Sequence, residues 1–266
     1  MEKIMYACLF LVLFSSCGGG NRGQLLGDQD REEWYMEDPY GMLYIPMGSY
    51  NMGPSDQDVP YALTTQAKTV SVQAFYMDET EITNNEYRQF TRWVRDSIAH
   101  LLIGEDHILE EGEYGERINW DEEILWDDEE YIEILEEMYL PEFERFNKRR
   151  EIDTRKLNFE YTWIDYREAA RKENREQGMK DRSVFIKKDI INVYPDTLAW
   201  VHDFTYAFNE PMTNMYNWHP AFDDYPVVGV SWKQARAFCI WRTQLLNGWL
   251  QDNGETFVQD FRLPTE

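Results

Sequence analysis

The chain of 266 residues is 43% hydrophobic, holds 10 Trp, 17 Tyr and 14 Phe, and carries a formal charge of −24. That length and apolar content suit one elaborated domain or two small ones and exclude disorder throughout, and so many rings favour a large, irregular aromatic interior over a simple bundle. The charge excludes a nucleic-acid backbone or an anionic lipid surface as natural partner, since both would be repelled, and favours basic partners.

Residues 1–16 read as an export signal: Lys3 precedes an 11-residue apolar run from Ile4 to Phe14, and Ser15-Ser16 leads into Cys17. The run is too short to cross a bilayer, and small residues before a cysteine fit the cleavage site of a bacterial lipoprotein, which makes Cys17 the expected lipidation site. An ordinary signal peptide with an incidental cysteine is the alternative. Each buried methylene of an acyl chain contributes about 0.8 kcal/mol, so several chains would hold the protein on a membrane. Residues 17–40 open with Gly18-Gly19-Gly20, show little apolar periodicity and are expected to be a tether. No acidic run follows Cys17 directly, which favours a lipid-anchored position on the periplasmic face of the outer membrane.

Met42 to Met52 alternates and ends in Gly53-Pro54, the pattern of a strand or hairpin, and Lys68 to Tyr76 gives a second strand with Val70, Val72 and Ala74 on one face. Thr83 with Glu86 forms a capping box, and Tyr87, Phe90, Val94, Ile98 and Leu101 recur behind it at helical spacing. These side chains are read as core.

From about residue 104 to about residue 211 a large acidic helical insertion is expected. Between Glu105 and Glu144 there are 18 Asp and Glu against one Arg, so this window holds −17 of the −24. Tyr131, Ile134, Leu135 and Met138 fall at helical spacing between the acids at residues 127–130 and Pro141. One face of that helix can dock while the other carries carboxylates. Glu136 and Glu137 near its end oppose the helix dipole, so helix electrostatics do not account for the excess. A basic counterpart is expected, part of it internal, because Lys148, Arg149, Arg150, Arg155 and Lys156 come next. A mixed-charge helix with Arg167, Arg171, Lys172 and Arg175 follows. The alternative is a solvated acidic face with no partner.

Val184 to Val193 reads as a strand, Tyr194-Pro195-Asp196 as a turn, and Leu198 to Pro226 as a long, packed, aromatic-rich loop. Pro226 to Val230 has the character of a short buried strand feeding directly into a helix. Ser231 and Gln234 form a second capping box, Ala235, Phe238, Cys239, Leu245 and Leu246 lie on one side, and Asn247-Gly248 supplies the stop.

Cys8, Cys17 and Cys239 make no disulfide framework, because the first lies in the removed segment and the second carries the lipid. Cys239, on the apolar helix face with no directly adjacent Lys or Arg, is expected to be buried and unreactive. His100, His107, His202 and His219 show no i, i+4 pairing and no neighbouring cysteine, so they are not expected to bind metal. Asp223-Asp224 reads as a turn rather than a calcium loop. No phosphate loop, nucleophile elbow or HExxH is present, so no catalytic, cofactor-binding or metal residue is expected.

The run Val228-Gly-Val-Ser-Trp-x-x-Ala-x-Ala-Phe-Cys-x-Trp241, followed about twenty residues on by Arg262-Leu-Pro-Thr-Glu266, resembles the formylglycine-generating-enzyme (sulfatase-modifying factor) family. Ile45 to Gly53 resembles the family's opening, and Val72 to Phe90 its strand and helix. The resemblance implies an α+β, C-type-lectin-like fold over residues 41–266, irregular and loop-rich, of which this chain holds the N-terminal portion. It implies no catalysis here, because the family's copper-binding cysteine pair would fall beyond Glu266 and Cys239 matches a helix cysteine outside that pair.

Tyr161 to Tyr166, Tyr194 to Trp200 and Phe204 to Val230 resemble a narrower group, the gliding-motility and type IX secretion lipoproteins of Bacteroidetes of the GldK/PorK type. That likeness implies a structural lipoprotein, without cofactor, that self-associates in a periplasmic ring with a GldN/PorN-type protein beneath the outer membrane. The alternative is a copper- or iron-dependent oxidase of the formylglycine-generating or sulfoxide-synthase class whose catalytic half lies beyond this chain. A lectin-like glycan binder rests on fold analogy alone. Metabolic labelling with an alkyne fatty acid checks the anchor: label should enter the wild-type chain and be lost from Cys17→Ser, and an unlabelled wild-type chain would remove the expected tether.

Overall fold

Thr83 and Ser231 each open a long helix by the same reciprocal device. The Glu86 carboxylate accepts from the Thr83 amide at 2.8 Å while the Thr83 hydroxyl accepts from the Glu86 amide, and Gln234 and Ser231 repeat the arrangement. The computed structural model describes residues 36, 38–54, 65–110, 116–176, 181–207 and 209–265. The expected signal peptide, Cys17 and nearly all of the tether lie outside them.

Strands and helices mix along the chain. In order they are β1 (Leu43–Ile45), β2 (Gly48–Met52), β3 (Lys68–Val72), β4 (Phe75–Met77), α1 (Asn84–Ile103), β5 (Ile108–Glu110), β6 (Glu116–Ile118), α2 (Glu129–Leu135), β7 (Asn158–Ile164), α3 (Tyr166–Ala169), α4 (Lys172–Glu176), β8 (Ile186–Asn192), α5 (Pro211–Met215) and α6 (Trp232–Asp252). Every described sheet is an antiparallel pair: β1 with β4, β2 with β3, β5 with β6, β7 with β8.

The strand expected from Met42 to Met52 is broken at Pro46, which has no amide to donate. The pairing offset is nevertheless the same on both sides, with Leu43 opposite Met77 and Gly48 opposite Val72, so β1–β4 is one interrupted hairpin. Its expected buried face is absent: Val70 is half-buried, and Val72, Ala74, Phe75 and Met77 are exposed.

The main core gathers rings from α1, β7 and α6. Phe90 is fully buried, with its ring centroid 5.1–5.8 Å from those of Tyr87, Phe159, Phe238 and Trp241. Such edge-on and tilted pairs contribute about 0.5–1.5 kcal/mol each beyond the apolar area they bury. β7 was not expected from the sequence; its Asn-Phe-Glu-Tyr-Thr-Trp-Ile alternation turns Phe159 and Tyr161 inward. Leu157, Phe159, Tyr161 and Val193, all within the span expected to be inserted, therefore belong to the shared interior. The Tyr87 hydroxyl reaches the same place, donating to the Val193 carbonyl at 2.8 Å.

Leu101, expected on the buried stripe of α1, is 58% exposed. Beyond Ile98 the helix meets a second core instead, where Ala99, Leu102 and Ile103 pack with Leu135 and Met138 from the acidic segment. One helix thus serves two interiors. The expected mixed-charge helix is two short ones, α3 and α4.

Pro226 to Val230 forms no strand. Pro226 makes an isolated bridge with Thr83, the Val227 amide donates to the Ile82 carbonyl at 2.9 Å, and the Gly229 carbonyl accepts from the Asp196 amide at 2.8 Å. Gly229 sits at φ +80°, and a Cβ there would lie 2.2 Å from the Asp196 carbonyl oxygen, so only glycine fits.

α6 runs through Asn247-Gly248 and stops at Asn253-Gly254, where Gly254 takes φ +72°. The reason is that the Asn247 side chain is engaged across space, accepting from the Val258 amide at 2.9 Å. Its buried residues are Ala237, Phe238, Trp241 and Thr243; Leu245, expected on that face, is exposed. From the same helix Arg242 grips Asp78 bidentately at 2.7 and 2.8 Å and lies 5.0 Å from the ring centroids of both Tyr40 and Phe261. That one guanidinium fastens four parts of the chain.

Urea unfolding tests this assignment of faces. Phe90→Ala should cost about 3–5 kcal/mol and Leu101→Ala no more than about 0.5 kcal/mol. Gly229→Ala should cost more than about 1 kcal/mol, because the positive φ and the Asp196 carbonyl both oppose a side chain.

Candidate functional site

α1 ends at Gly104, whose φ of +67° reverses the chain so that His107 returns against the last turn of the helix. Its Nδ1 lies 2.8 Å from Nδ1 of His100, and its Nε2 lies 3.1 Å from the Tyr131 hydroxyl on α2. Both imidazoles are buried. One nitrogen of the close pair must donate and the other accept, so the two rings cannot both be charged on those atoms. Burial, and secondarily the neighbouring His107, lowers the pKa of His100 below the ordinary imidazole value; the Asp96 and Glu122 carboxylates act in the opposite sense and are outweighed.

Trp120 closes over this pair. It stacks on Trp93 at 5.5 Å and meets His100 edge-on at 5.2 Å. Beside it, Trp126 carries the Arg95 guanidinium 4.8 Å from its ring centroid, and Arg95 also donates to Asp96 at 2.7 Å. Between these groups opens a cavity of about 280 Å³ lined by Asp96, His100, Trp120, Glu123, Ile124 and Trp126.

The surrounding carboxylates are largely uncompensated. Among the described residues, the acid between positions 121 and 137 with an ion pair is Glu136, which meets Arg145. The expected internal counter-charge is partly realised: Arg155 pairs with Glu144 and Asp153, and Lys156 donates to the Glu137 carbonyl. Lys148, Arg149 and Arg150 are exposed and make no such pair among the described residues.

The aromatic loop expected after residue 198 is pinned to the start of α1. Asn84, itself buried, donates to the carbonyls of Tyr216 and Phe222, and Arg88 pairs with Asp223. The Tyr216 hydroxyl donates to the Pro226 carbonyl at 2.6 Å, and Trp200, Phe222 and Tyr225 pack their rings around it.

Of the four histidines, the structure joins His100 and His107 and leaves the others apart. His202 is exposed, and His219 accepts from the Ala221 amide to cap a short turn. His107 lies beyond the helix end at Gly104, so helical spacing does not bring the two rings together and the pair was missed; a glycine just past the helix, with His107 three residues on, was the available signal. Cys239 is half-buried rather than buried, and burial pushes its thiol up to about 11, against the weaker opposing effect of Arg242. A protonated thiol is a poor nucleophile and a poor metal ligand. Among the described residues no group of three or more His, Cys, Asp or Glu converges as a metal-ligand set, and no helix is long and apolar enough to cross a membrane.

The chain matches the sulfatase-modifying factor enzyme 1-like domain over residues 31–266 and belongs to that family. It is 31% identical over 86 residues to the formylglycine-generating enzyme of Bos taurus, a stretch that covers 31% of this chain and 22% of the bovine enzyme. No solved structure matches it significantly.

His100 gives the site a pH signature. An unfolded chain protonates His100 near 6.5 whereas the folded chain resists, so its contribution to stability is full above about pH 6.5 and is lost as pH falls below that value. Thermal midpoints taken at about pH 7.5 and about pH 5.5 should drop for the wild type and drop less for the double variant His100→Gln, His107→Gln. Equal drops would remove His100 from the pH dependence of stability.

Proposed function

We propose that this member of the sulfatase-modifying factor family is a non-enzymatic scaffold lipoprotein of the gliding-motility and type IX secretion kind, the GldK/PorK type. In this reading Cys17 anchors it to the periplasmic face of the outer membrane, where it joins a GldN/PorN-type partner in a ring. The observation that carries the reading is the uncompensated acidic face of residues 121–137. Leu135 and Met138 bury one side of that segment against α1, while its carboxylates face solvent almost without counter-ions.

Holding like charges together on a fixed surface opposes folding through self-repulsion. A basic partner relieves that repulsion on binding, steers the encounter and disfavours wrong partners. The alternative, a copper- or iron-dependent oxidase whose catalytic half lies beyond Glu266, predicts turnover of a cysteine-bearing peptide, in the presence of the metal and oxygen, by a protein that carries that half.

Pull-down from detergent-solubilised membranes tests the scaffold directly. One stoichiometric partner should be recovered at low salt and released at high salt. Substituting Glu129, Glu130, Glu133 and Glu137 by Gln removes four exposed charges worth about 0.2–1 kcal/mol each, so association should weaken roughly tenfold and its salt dependence flatten. Absence of any stoichiometric partner, or oxidation of the cysteine peptide by the protein extended through the family's remaining residues, would overturn the reading.

A further inference from the structure

The cavity beside His100 combines features that the scaffold reading does not require. Two of its walls are indoles, whose faces carry the negative lobe of the ring quadrupole and attract cations. The chain already uses such faces in this way: Arg95 lies 4.8 Å from the centroid of Trp126, and Arg236 lies 4.2 Å from that of Trp163. Trp120, stacked on Trp93 and met edge-on by His100, is still 48% exposed, so part of its indole remains accessible from outside.

The charges point the same way. Asp96 is compensated by Arg95, but Glu123 is exposed and makes no ion pair among the described residues. One carboxylate is therefore left for a cation from outside. His100, held neutral by its buried contact with His107, adds a polar edge without opposing positive charge. Arg95 is taken up by Asp96 and Trp126, and the surrounding window of residues 105–144 carries −17, so the field there disfavours an anion.

Size and access bear on the ligand. The cavity, about 280 Å³ and widely open to solvent, offers room for several water molecules at roughly 30 Å³ each and admits a group presented from outside. One long side chain fits that space. A planar guanidinium can stack on an indole and meet a carboxylate through two donors at once, which an ammonium cannot.

We propose that the cavity lined by Trp120, Glu123 and Trp126 is a receptor for a single cationic side chain, preferentially arginine, presented by a protein partner. The proposal rests on the scaffold reading only for who that partner is. The receptor itself stands on the geometry of the cavity.

Titration of the full chain with a short Gly-Arg-Gly peptide, and with the same peptide carrying neutral citrulline, tests it. The arginine peptide should bind and shift the indole N–H signal of Trp120, and the citrulline peptide should do neither. Glu123→Gln should weaken arginine-peptide binding about three- to tenfold, and Glu129→Gln, outside the cavity, less than about twofold. Equal binding of the two peptides, equal loss in the two variants, or no binding of the arginine peptide would overturn the proposal. Because this assay needs neither membrane nor native partner, its failure leaves the pull-down free to succeed, and a failed pull-down leaves peptide binding intact.

Discussion

Phe90 is the contact on which the interior turns. With no solvent exposure and with rings from its own helix, from β7 and from α6 around it, it couples segments nearly 150 residues apart in the chain. Both long helices must be in place for it to be covered, and both begin at capping boxes that fix where their first turns lie. Arg242 adds a polar clamp on the far side of α6, but its partners Asp78, Tyr40 and Phe261 stay partly accessible, so the aromatic contact carries more of the cohesion.

The second consequence of that arrangement is the divided duty of α1. Its first three turns face the ring cluster, and its last turn faces Leu135 and Met138. The acidic segment is thereby attached to a helix that is itself packed into the main core, and its carboxylates are displayed from that support. A charged surface on a fixed support keeps its pattern, which is what selective electrostatic recognition needs.

Legibility from sequence followed the range of the interactions involved. Capping boxes are decided within four residues, and Thr83 and Ser231 were placed correctly for that reason. The family was legible too, since its motif run from Val228 to Trp241 is local and specific. What failed depended on distant groups. Asn247-Gly248 reads as a stop until Val258 is seen to engage the asparagine, and the identical dipeptide at Asn253-Gly254 does the work instead. β7 hides in a charged stretch, and its partner β8 lies more than twenty residues away, so its alternation carries little signal alone. The candidate cavity needed Gly104 to fold His107 back and residues 119–126 to lie over α1, and neither event shows in periodicity.

The state of Cys239 bears on how copies of this chain can meet. A half-buried sulfur that keeps its proton is slow to attack another sulfur, so crowding many copies together on one surface does not cross-link them through this position. Any contact between folded copies would then remain reversible at this residue.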